Sequence, residues 1–419
     1  MLIAVISGII GAFFVYAFQF ILNFLQSFAD PFSPKVILYA AAGALAASII
    51  SMAAVKSRGE SIPSYIRGIR DNGGQFSIKN TVVTLFSSIA TLGTWGNGGI
   101  VAPLGRVTAG FTSWLSSLVN PETGDNSFRR TAAIAGMAAT VSSITGAPIA
   151  SGIMAVEIIQ KRDMRYSDLF PSILAASTSY IISTYLGIER IFNFETVKHI
   201  HFNIGYIPVF LLTAVAAAAA GHGFEKFYSV LKKIVYNKYT KKAVVLRFTA
   251  ATVISVSIFW FINPYFLGTG SSFQKMLFVS SDISLWHLSV SLPVSLTAAI
   301  LIILRAFSVN ITVASGQNVG FFAPLTQIGM LIGTMFAALF GFFGRPEYVQ
   351  VLQAAGMSAM LASTMNIPLA SAVLVSELFG MRFGLIAAFA SILAFQLNRH
   401  HTIYDMILEE PESKDSINS

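Results

Sequence analysis

The chain has 419 residues, 54% of them hydrophobic and 11% charged, with a mean hydropathy of +0.69. That balance excludes an ordinary soluble domain and indicates a polytopic membrane protein. The formal charge of +8 is therefore no nucleic-acid signal, and the absence of cysteine excludes disulfides, thiolate metal sites and thiol catalysis.

The first apolar run covers residues 1–28. It lacks a basic stretch after Met1 and extends past the length of a signal-peptide core, so it predicts a retained first span. Runs at 35–55, 80–95, 168–187, 206–230, 243–262 and 286–306 each come near the ~20 helical residues a hydrocarbon core requires. Runs near 100–118, 131–159, 319–342, 347–379 and 383–397 contain Gly or Pro breaks and predict shorter, partial spans. Their continuity excludes the ~10-residue alternation of a transmembrane barrel, so helices carry the spans.

Little is left between the runs. The longest polar segments are 56–79, 119–130 and 188–203, with a tail from about Asp405 that is expected to be disordered. Most of the 27 Lys and Arg fall in 56–79, at Arg129 and Arg130, in 161–165, in 226–247 and at the C-terminus, which assigns those loops and the C-terminus to the cytoplasm. The basic stretch at 226–247 is read as an orientation signal rather than a lipid-headgroup site. Trp95, Trp114 and Trp286 lie at segment ends and read as interface anchors. His199, His201, His400 and His401 are read as loop histidines, because no carboxylate or cysteine cluster accompanies them, and no metal or cofactor is expected.

Two stretches share a pattern. Gly136, Met137, Pro148 and Glu157 recur as Gly356, Met357, Pro368 and Glu377, each 220 residues on. Loop charges place the residues after Glu157 in the cytoplasm and those after Glu377 outside, so the halves are inverted. Inverted repeats with broken helices are the signature of transporters and related channels whose site lies between the repeats.

Three segments share a further design, a glycine-rich break followed by an apolar helix near a proline: RGESIP at 58–63, GNGGIVAPLG at 96–105 and GQNVGFFAPLTQIG at 316–329. Glycine frees the turn, and the helix that follows offers unsatisfied N–H groups and a positive dipole end. Three such ends converging at mid-membrane make an anion site without a formal charge. Simple kinks that allow close helix packing are the competing reading. Three breaks, two of them repeat mates, favour the site.

RGESIP resembles the GSGIP motif of the CLC chloride channels and anion/proton antiporters, GNGGIVAP resembles their GREGP, and GFFAP at 320–324 matches their GxFxP. The AGMAA and AGMSA segments, each followed by Pro and Glu, are similar to paired helices of that family, and HTIYDMIL places Tyr404 at its pore tyrosine. The ordered set runs from about Pro31 to Leu408, with no counterpart seen for the family's regulatory domains or its most N-terminal helix. The resemblance implies an all-α polytopic membrane protein with a CLC-like fold of two inverted-topology repeats of tilted and broken helices. The expected division is 1–30 as an N-terminal membrane helix, 31–190 and 204–397 as the repeats, and 398–419 as a pore-lining segment and cytoplasmic tail.

Carried over by residue, the resemblance implies an anion pathway through Gly59, Glu60, Ser61, Ile62 and Pro63, through Gly96, Asn97, Gly98, Gly99 and Ile100, and through Gly320, Phe321, Phe322, Ala323, Pro324 and Tyr404. Amides of Phe321 and Phe322, those near Gly98 and Gly99, and the Tyr404 hydroxyl surround the ion. Three departures stand out. The family's gating glutamate is Gly98 and its neighbouring arginine is Asn97. The internal proton-transfer glutamate falls at Ile158, one residue after Glu157. The anion-coordinating serine is Glu60, the one candidate for a protonatable gate. Glu60 either lines the pathway or faces the cytoplasmic vestibule, paired with Arg58 or Lys56. Glu157 and Glu377 are read as hydrogen-bonding anchors rather than proton carriers. Arg106 and Arg305 add positive potential, snorkel, or pair with Glu157 or Glu377.

The expectation is transport of a small inorganic anion, chloride first. Its mode is passive and channel-like because neither Gly98 nor Ile158 offers a carboxylate. Proton-coupled movement through Glu60, or a non-conducting sensory member, are the alternatives; an enzyme is not expected. The resemblance further implies a homodimer with one pathway per subunit in the cell membrane. The lipid bilayer and the anion are then the other partners, with no nucleic acid.

Overall fold

In a computed structural model the described residues are 1–54, 58–119, 126–159, 164–192, 207–235, 240–280, 292–342, 345–399 and 402–409. Lys56, His199, His201, Trp286, His400, His401 and the tail after residue 409 lie outside them.

The first half runs through α1 (Leu2–Gln26), α2 (Lys35–Ser51), α3 (Ile62–Arg70), α4 (Ile78–Leu92), α5 (Val101–Val119), α6 (Asn126–Thr145), α7 (Pro148–Glu157) and α8 (Tyr166–Tyr185). The second follows with α9 (Ile207–Val235), α10 (Lys241–Ile262), α11 (Ser271–Ser280), α12 (Val294–Ala314), α13 (Phe322–Leu339), α14 (Pro346–Met365), α15 (Pro368–Phe379) and α16 (Met381–Asn398). A short α17 (Ile403–Glu409) ends the described chain. Among the described helices α1, α9, α10, α12, α13 and α16 are long and apolar enough to cross a membrane.

The broken runs divide where the sequence predicts. The run at 131–159 becomes α6 and α7, separated at Gly146 with φ +79°; the run at 347–379 becomes α14 and α15, separated at Asn366 with φ +59°. These repeat mates are glycine and asparagine, the residues that end helices in the left-handed conformation at least cost. Pro148 and Pro368 then open α7 and α15, where a missing N–H loses no bond.

Packing repeats between the halves. α6 lies against α5 and α8 as α14 lies against α13 and α16, and α2 with α4 matches α10 with α12. α1 rests on α6 and α8 as α9 rests on α14 and α16. Across the halves α2 meets α10, α5 meets α13, and α7 meets α15. Small residues permit the close approaches: a Cβ on Gly329 would come 2.5 Å from the Gly356 carbonyl oxygen, so α13 and α14 touch backbone to backbone. Buried hydroxyls supply polar links, Ser142 Oγ donating to the Ala176 carbonyl at 2.7 Å and Ser179 Oγ to that of Ala139 at 2.8 Å.

The repeat glutamates close the structure reciprocally. Glu157, at the end of α7, accepts from the Leu369 N–H at 2.9 Å and the Ala370 N–H at 2.7 Å, in the first turn of α15. Glu377, near the end of α15, accepts from Ile149 at 3.0 Å and Ala150 at 2.8 Å, in the first turn of α7. Each carboxylate thus fills orphan donors at the positive end of the other half's helix. Both are helix-bound anchors. The pairing with Arg106 or Arg305 held open by the sequence does not occur: Arg106 donates to the Ser64 and Thr81 hydroxyls, and Arg305 to the Phe266 and Thr269 carbonyls. Nor does either arginine snorkel, at 3% and 0% exposed.

Glu157→Ala leaves two α15 amides without an acceptor and is expected to destabilise the protein by about 2 kcal/mol, the scale of hydrogen bonds to a charged group. Thermal unfolding in detergent checks it. Glu377→Ala should show a like loss, and Glu157→Gln, which retains one acceptor oxygen, a smaller one.

Candidate functional site

α5 and α13 are preceded by the two glycine-rich breaks, and the breaks meet. Gly99 N–H donates to the Gly320 carbonyl and Gly320 N–H to that of Gly99, both at 2.8 Å, an antiparallel bridge between repeat mates. Two residues related by the repeat and bonded to each other mark the pseudo-twofold axis. A third break reaches the same place, since the Gly59 N–H donates to the Gly316 carbonyl at 2.9 Å. Gly59 and Gly316, with φ of +87° and +102°, take conformations that a side chain would strain.

The bridge decides which amides are free. Gly99 and Gly320 spend theirs on each other, and the Gly98 N–H donates to the Gly268 carbonyl at 3.1 Å. The amides near Gly98 and Gly99, expected at the anion, are therefore occupied. Ile100, Val101, Phe321 and Phe322 have no backbone acceptor for their N–H groups among the described residues. These are the donors at the tips of α5 and α13.

Glu60 sits at the third tip. Its side chain is 6% exposed, its Oε2 accepts from the Ile62 N–H at 2.6 Å, and the carboxylate also faces the amide of Phe321. Oε1 has no hydrogen-bond partner. The carboxylate lies across the ends of α3 and α13, while Arg58 Nε donates to the Ser51 carbonyl at 3.1 Å and Lys56, the other partner weighed, lies outside the described residues. Ser61 Oγ and the Tyr404 hydroxyl are buried beside it without partners, and Tyr404 lies close enough to feel the Glu60 charge.

α17 brings Tyr404 there. Thr402 and Asp405 cap its start reciprocally, Asp405 N–H donating to Thr402 Oγ1 and Thr402 N–H to Asp405 Oδ2, both at 3.2 Å. Arg67 of α3 holds its end through the Leu408 carbonyl at 3.3 Å. α3 is itself pinned from the other side, the Tyr65 hydroxyl donating to the Ala155 carbonyl at 2.8 Å.

The structure accordingly brings together Glu60, Ser61, Ile62, Phe321 and Tyr404, and sets Gly98 and Gly99 against Val319 and Gly320. At Gly98 any Cβ would overlap the Cβ of Val319, which is fully buried. The space where the resemblance places a swinging carboxylate is filled from the other repeat. Ile158 caps the end of α7 and is 7% exposed, while its neighbour Glu157 is committed to α15.

Trp95 has a structural role that its place at a segment end did not announce. It is a turn residue at φ +66°, its indole N–H donating to the Ala29 carbonyl at 2.9 Å and its carbonyl accepting from Gly268 at 3.2 Å. The loop it holds was missed in the sequence; Arg305, which the sequence did single out, donates to the Phe266 carbonyl at 3.1 Å and the Thr269 carbonyl at 3.0 Å on either side of Gly268. The sequence signal for that loop was Arg305 itself, a charged residue within an apolar run.

Comparison with known proteins gives a consistent picture. Residues 42–399 match the family described as voltage gated chloride channel. The chain is similar to an uncharacterised protein of Methanocaldococcus jannaschii, 26% identical over 84% of this chain and 82% of that protein. It is 27% identical to a chloride/fluoride channel protein of Pseudomonas syringae pv. tomato, over 66% of this chain and 58% of that protein. Among solved structures, a CLC-type fluoride/proton antiporter superposes with a TM-score of 0.80 at 17% identity, covering 96% of each chain. A slow cyanobacterial Cl−/H+ antiporter gives 0.76 at 19%, covering 97% of this chain and 96% of that one. These superpositions establish the fold of inverted, broken-helix repeats.

Gly98→Ala forces a methyl into Val319 and is expected to cost about 1–3 kcal/mol, as overpacking does. It should appear as a lower thermal midpoint and less monodisperse protein. Val319→Gly should restore room for Gly98→Ala and for Gly98→Glu; equal stability of Gly98→Ala and the parent would show that the two positions do not touch.

Proposed function

Because the chain belongs to the voltage gated chloride channel family, we propose that this multi-pass membrane protein carries a small inorganic anion between its two repeats, with Glu60 as the gate. The observation that carries this reading is the Glu60 carboxylate, buried across the tips of α3 and α13 with one oxygen on the Ile62 amide and the other unpartnered. An ionised carboxylate there holds the donors that a permeating anion needs. Protonation removes its charge and releases them. Chloride is the first ion to test and fluoride the second, since both appear in the descriptions of relatives.

Movement is passive and channel-like in this reading. Gly98 has no side chain to swing across the outer entrance, and Val319 occupies the space one would need. The carboxylate nearest Ile158 is bound to α15. A second reading, proton-coupled anion movement, is favoured by one fact alone: Glu60 is a single protonatable group at the place where proton and anion would compete.

The repeat units are assigned as α1 to α8 and α9 to α16, following the matched packing of α1 and α9. This moves the first boundary from residue 31 to the first helix. A homodimer with one pathway per subunit, the plasma membrane as its site and a cytoplasmic C-terminus complete the proposal.

Purified protein in liposomes, with a chloride gradient and the potential clamped by an ionophore, should release chloride faster as pH falls, without net proton movement. Glu60→Gln should be fast at every pH, matching the acidic limit of the parent. Chloride release that drives protons uphill, and loses that ability in Glu60→Gln, selects the coupled reading. Release with unchanged pH dependence in Glu60→Gln removes Glu60 as the gate, and no release of any anion moves the protein to a non-conducting role.

A further inference from the structure

Two side chains at the crossing of the repeats have no partner. Asn97 and Asn318 are each 0% exposed, and neither Oδ1 nor Nδ2 of either residue meets a hydrogen-bonding group of the protein. They are repeat mates, each two residues before a member of the Gly99–Gly320 bridge. Because that bridge lies on the pseudo-twofold axis, one asparagine stands on either side of it. Other buried carboxamides in the same protein use their Nε2 groups. Gln317 donates to Thr252 at 3.0 Å, Gln353 to Thr334 at 2.9 Å and Gln274 to Thr326 at 3.1 Å.

A carboxamide buried with all its polar atoms unmatched costs several kcal/mol, so four such atoms at symmetric positions call for a ligand. The surroundings set its charge. Beside Asn97, the Gly98 N–H is held by the Gly268 carbonyl, and the fully buried Arg305 is bonded to the carbonyls of Phe266 and Thr269 that flank it. Beside Asn318, Arg247 Nη2 comes within 3.6 Å of the Cβ position of Gly316. A guanidinium group thus stands against the Gly268 loop that binds Gly98, next to Asn97, and another against Gly316, two residues before Asn318, and an anion is favoured over a cation. The carboxamide also has an acceptor, which a bare anion would leave unmatched.

We infer that Asn97 and Asn318 are paired relay sites for a partly hydrated halide, one on each side of the bridge, with Nδ2 donating to the ion and Oδ1 accepting from its remaining water. The inference rests on the anion-carrying reading and adds the residues that set selectivity. Directional amide donors reward a small, strongly hydrogen-bonding halide more than a large diffuse anion, so the pair discriminates chloride and fluoride from thiocyanate.

The test measures release of fluoride, chloride and thiocyanate from liposomes for the parent, Asn97→Leu and Asn318→Leu, with Asn97→Ala and Asn318→Ala as second variants should the leucines fail to fold. Each variant should shift the chloride-to-thiocyanate ratio toward thiocyanate by on the order of tenfold, the loss of one hydrogen bond to an ion. Chloride should also raise the thermal midpoint of the parent more than that of either variant. In chloride-free buffer the leucine variants should be at least as stable as the parent, since an unmatched amide is replaced by an apolar group of similar size. Ratios and chloride shifts within twofold of the parent, or a fall in chloride-free stability, would overturn the inference and leave the anion pathway standing. A parent that carries no anion and gains no stability from any halide would overturn the pathway itself.

Discussion

The constraint on which the rest depends is the meeting of two backbones at Gly99 and Gly320. Irregular backbone at membrane depth survives only where protein or a water-filled cavity satisfies its polar groups. Here two breaks satisfy part of each other, and the Trp95–Gly268–Gly98 links satisfy part of the remainder. What is left over is not random. The amides that bond each other belong to the glycines of the bridge, and those without a backbone acceptor among the described residues lie at the tips of α5 and α13. Closing the fold and leaving helix-tip donors without backbone acceptors are consequences of the same pair of hydrogen bonds. A side chain on either glycine would part the strands, since a Cβ on Gly99 would come 2.9 Å from the Gly320 carbonyl oxygen.

The two repeat glutamates make that crossing rigid. Each carboxylate is held by two amides of a helix from the other half, so α7 and α15 are bound tip to tail around the axis that passes through the bridge. Such caps use charge where the helix dipole favours it and commit both acids to helix ends. The division of labour among the acids at the centre follows: Glu157 and Glu377 hold helices, and Glu60 alone has an oxygen without a partner.

Much of this was legible in the chain. The offset of 220 residues announced the repeat, Pro148 and Pro368 announced new helices, and the three glycine breaks announced where helix ends would converge. The partners of Glu157 and Glu377 were not legible, because each bonds residues more than 200 positions away and nothing local to a glutamate names the helix it will cap. The contact of Gly98 with Val319 was hidden for the same reason, although the two are repeat mates. The turn at Trp95 was not legible because hydropathy registers only an aromatic at a segment end, while its left-handed backbone is set by the Gly268 loop. The packing role of α1 escaped because its match to α9 lies in which helices it touches rather than in shared residues.

Electrostatics bears on why the proposal gives a single carboxylate, Glu60, the gating role. Arg106 and Arg305 are buried against hydroxyls and carbonyls, with no acidic partner among the described residues. A buried guanidinium bonded only to neutral groups keeps its full charge in a low-dielectric surrounding, where Coulomb interactions reach far. These two charges, with the free helix tips, raise the potential of the whole crossing, and an anion anywhere within it is favoured. A gate in such a field must cancel positive potential and not merely block a channel. In the proposed reading Glu60 does this from the tip of α3, where its carboxylate meets the Ile62 and Phe321 amides. The same carboxylate at position 98 would have to displace Val319 and reopen the bridge that positions every donor. The geometry of the crossing therefore leaves the tip of α3 as the place from which a side chain can reach the free amides without breaking the bonds that present them.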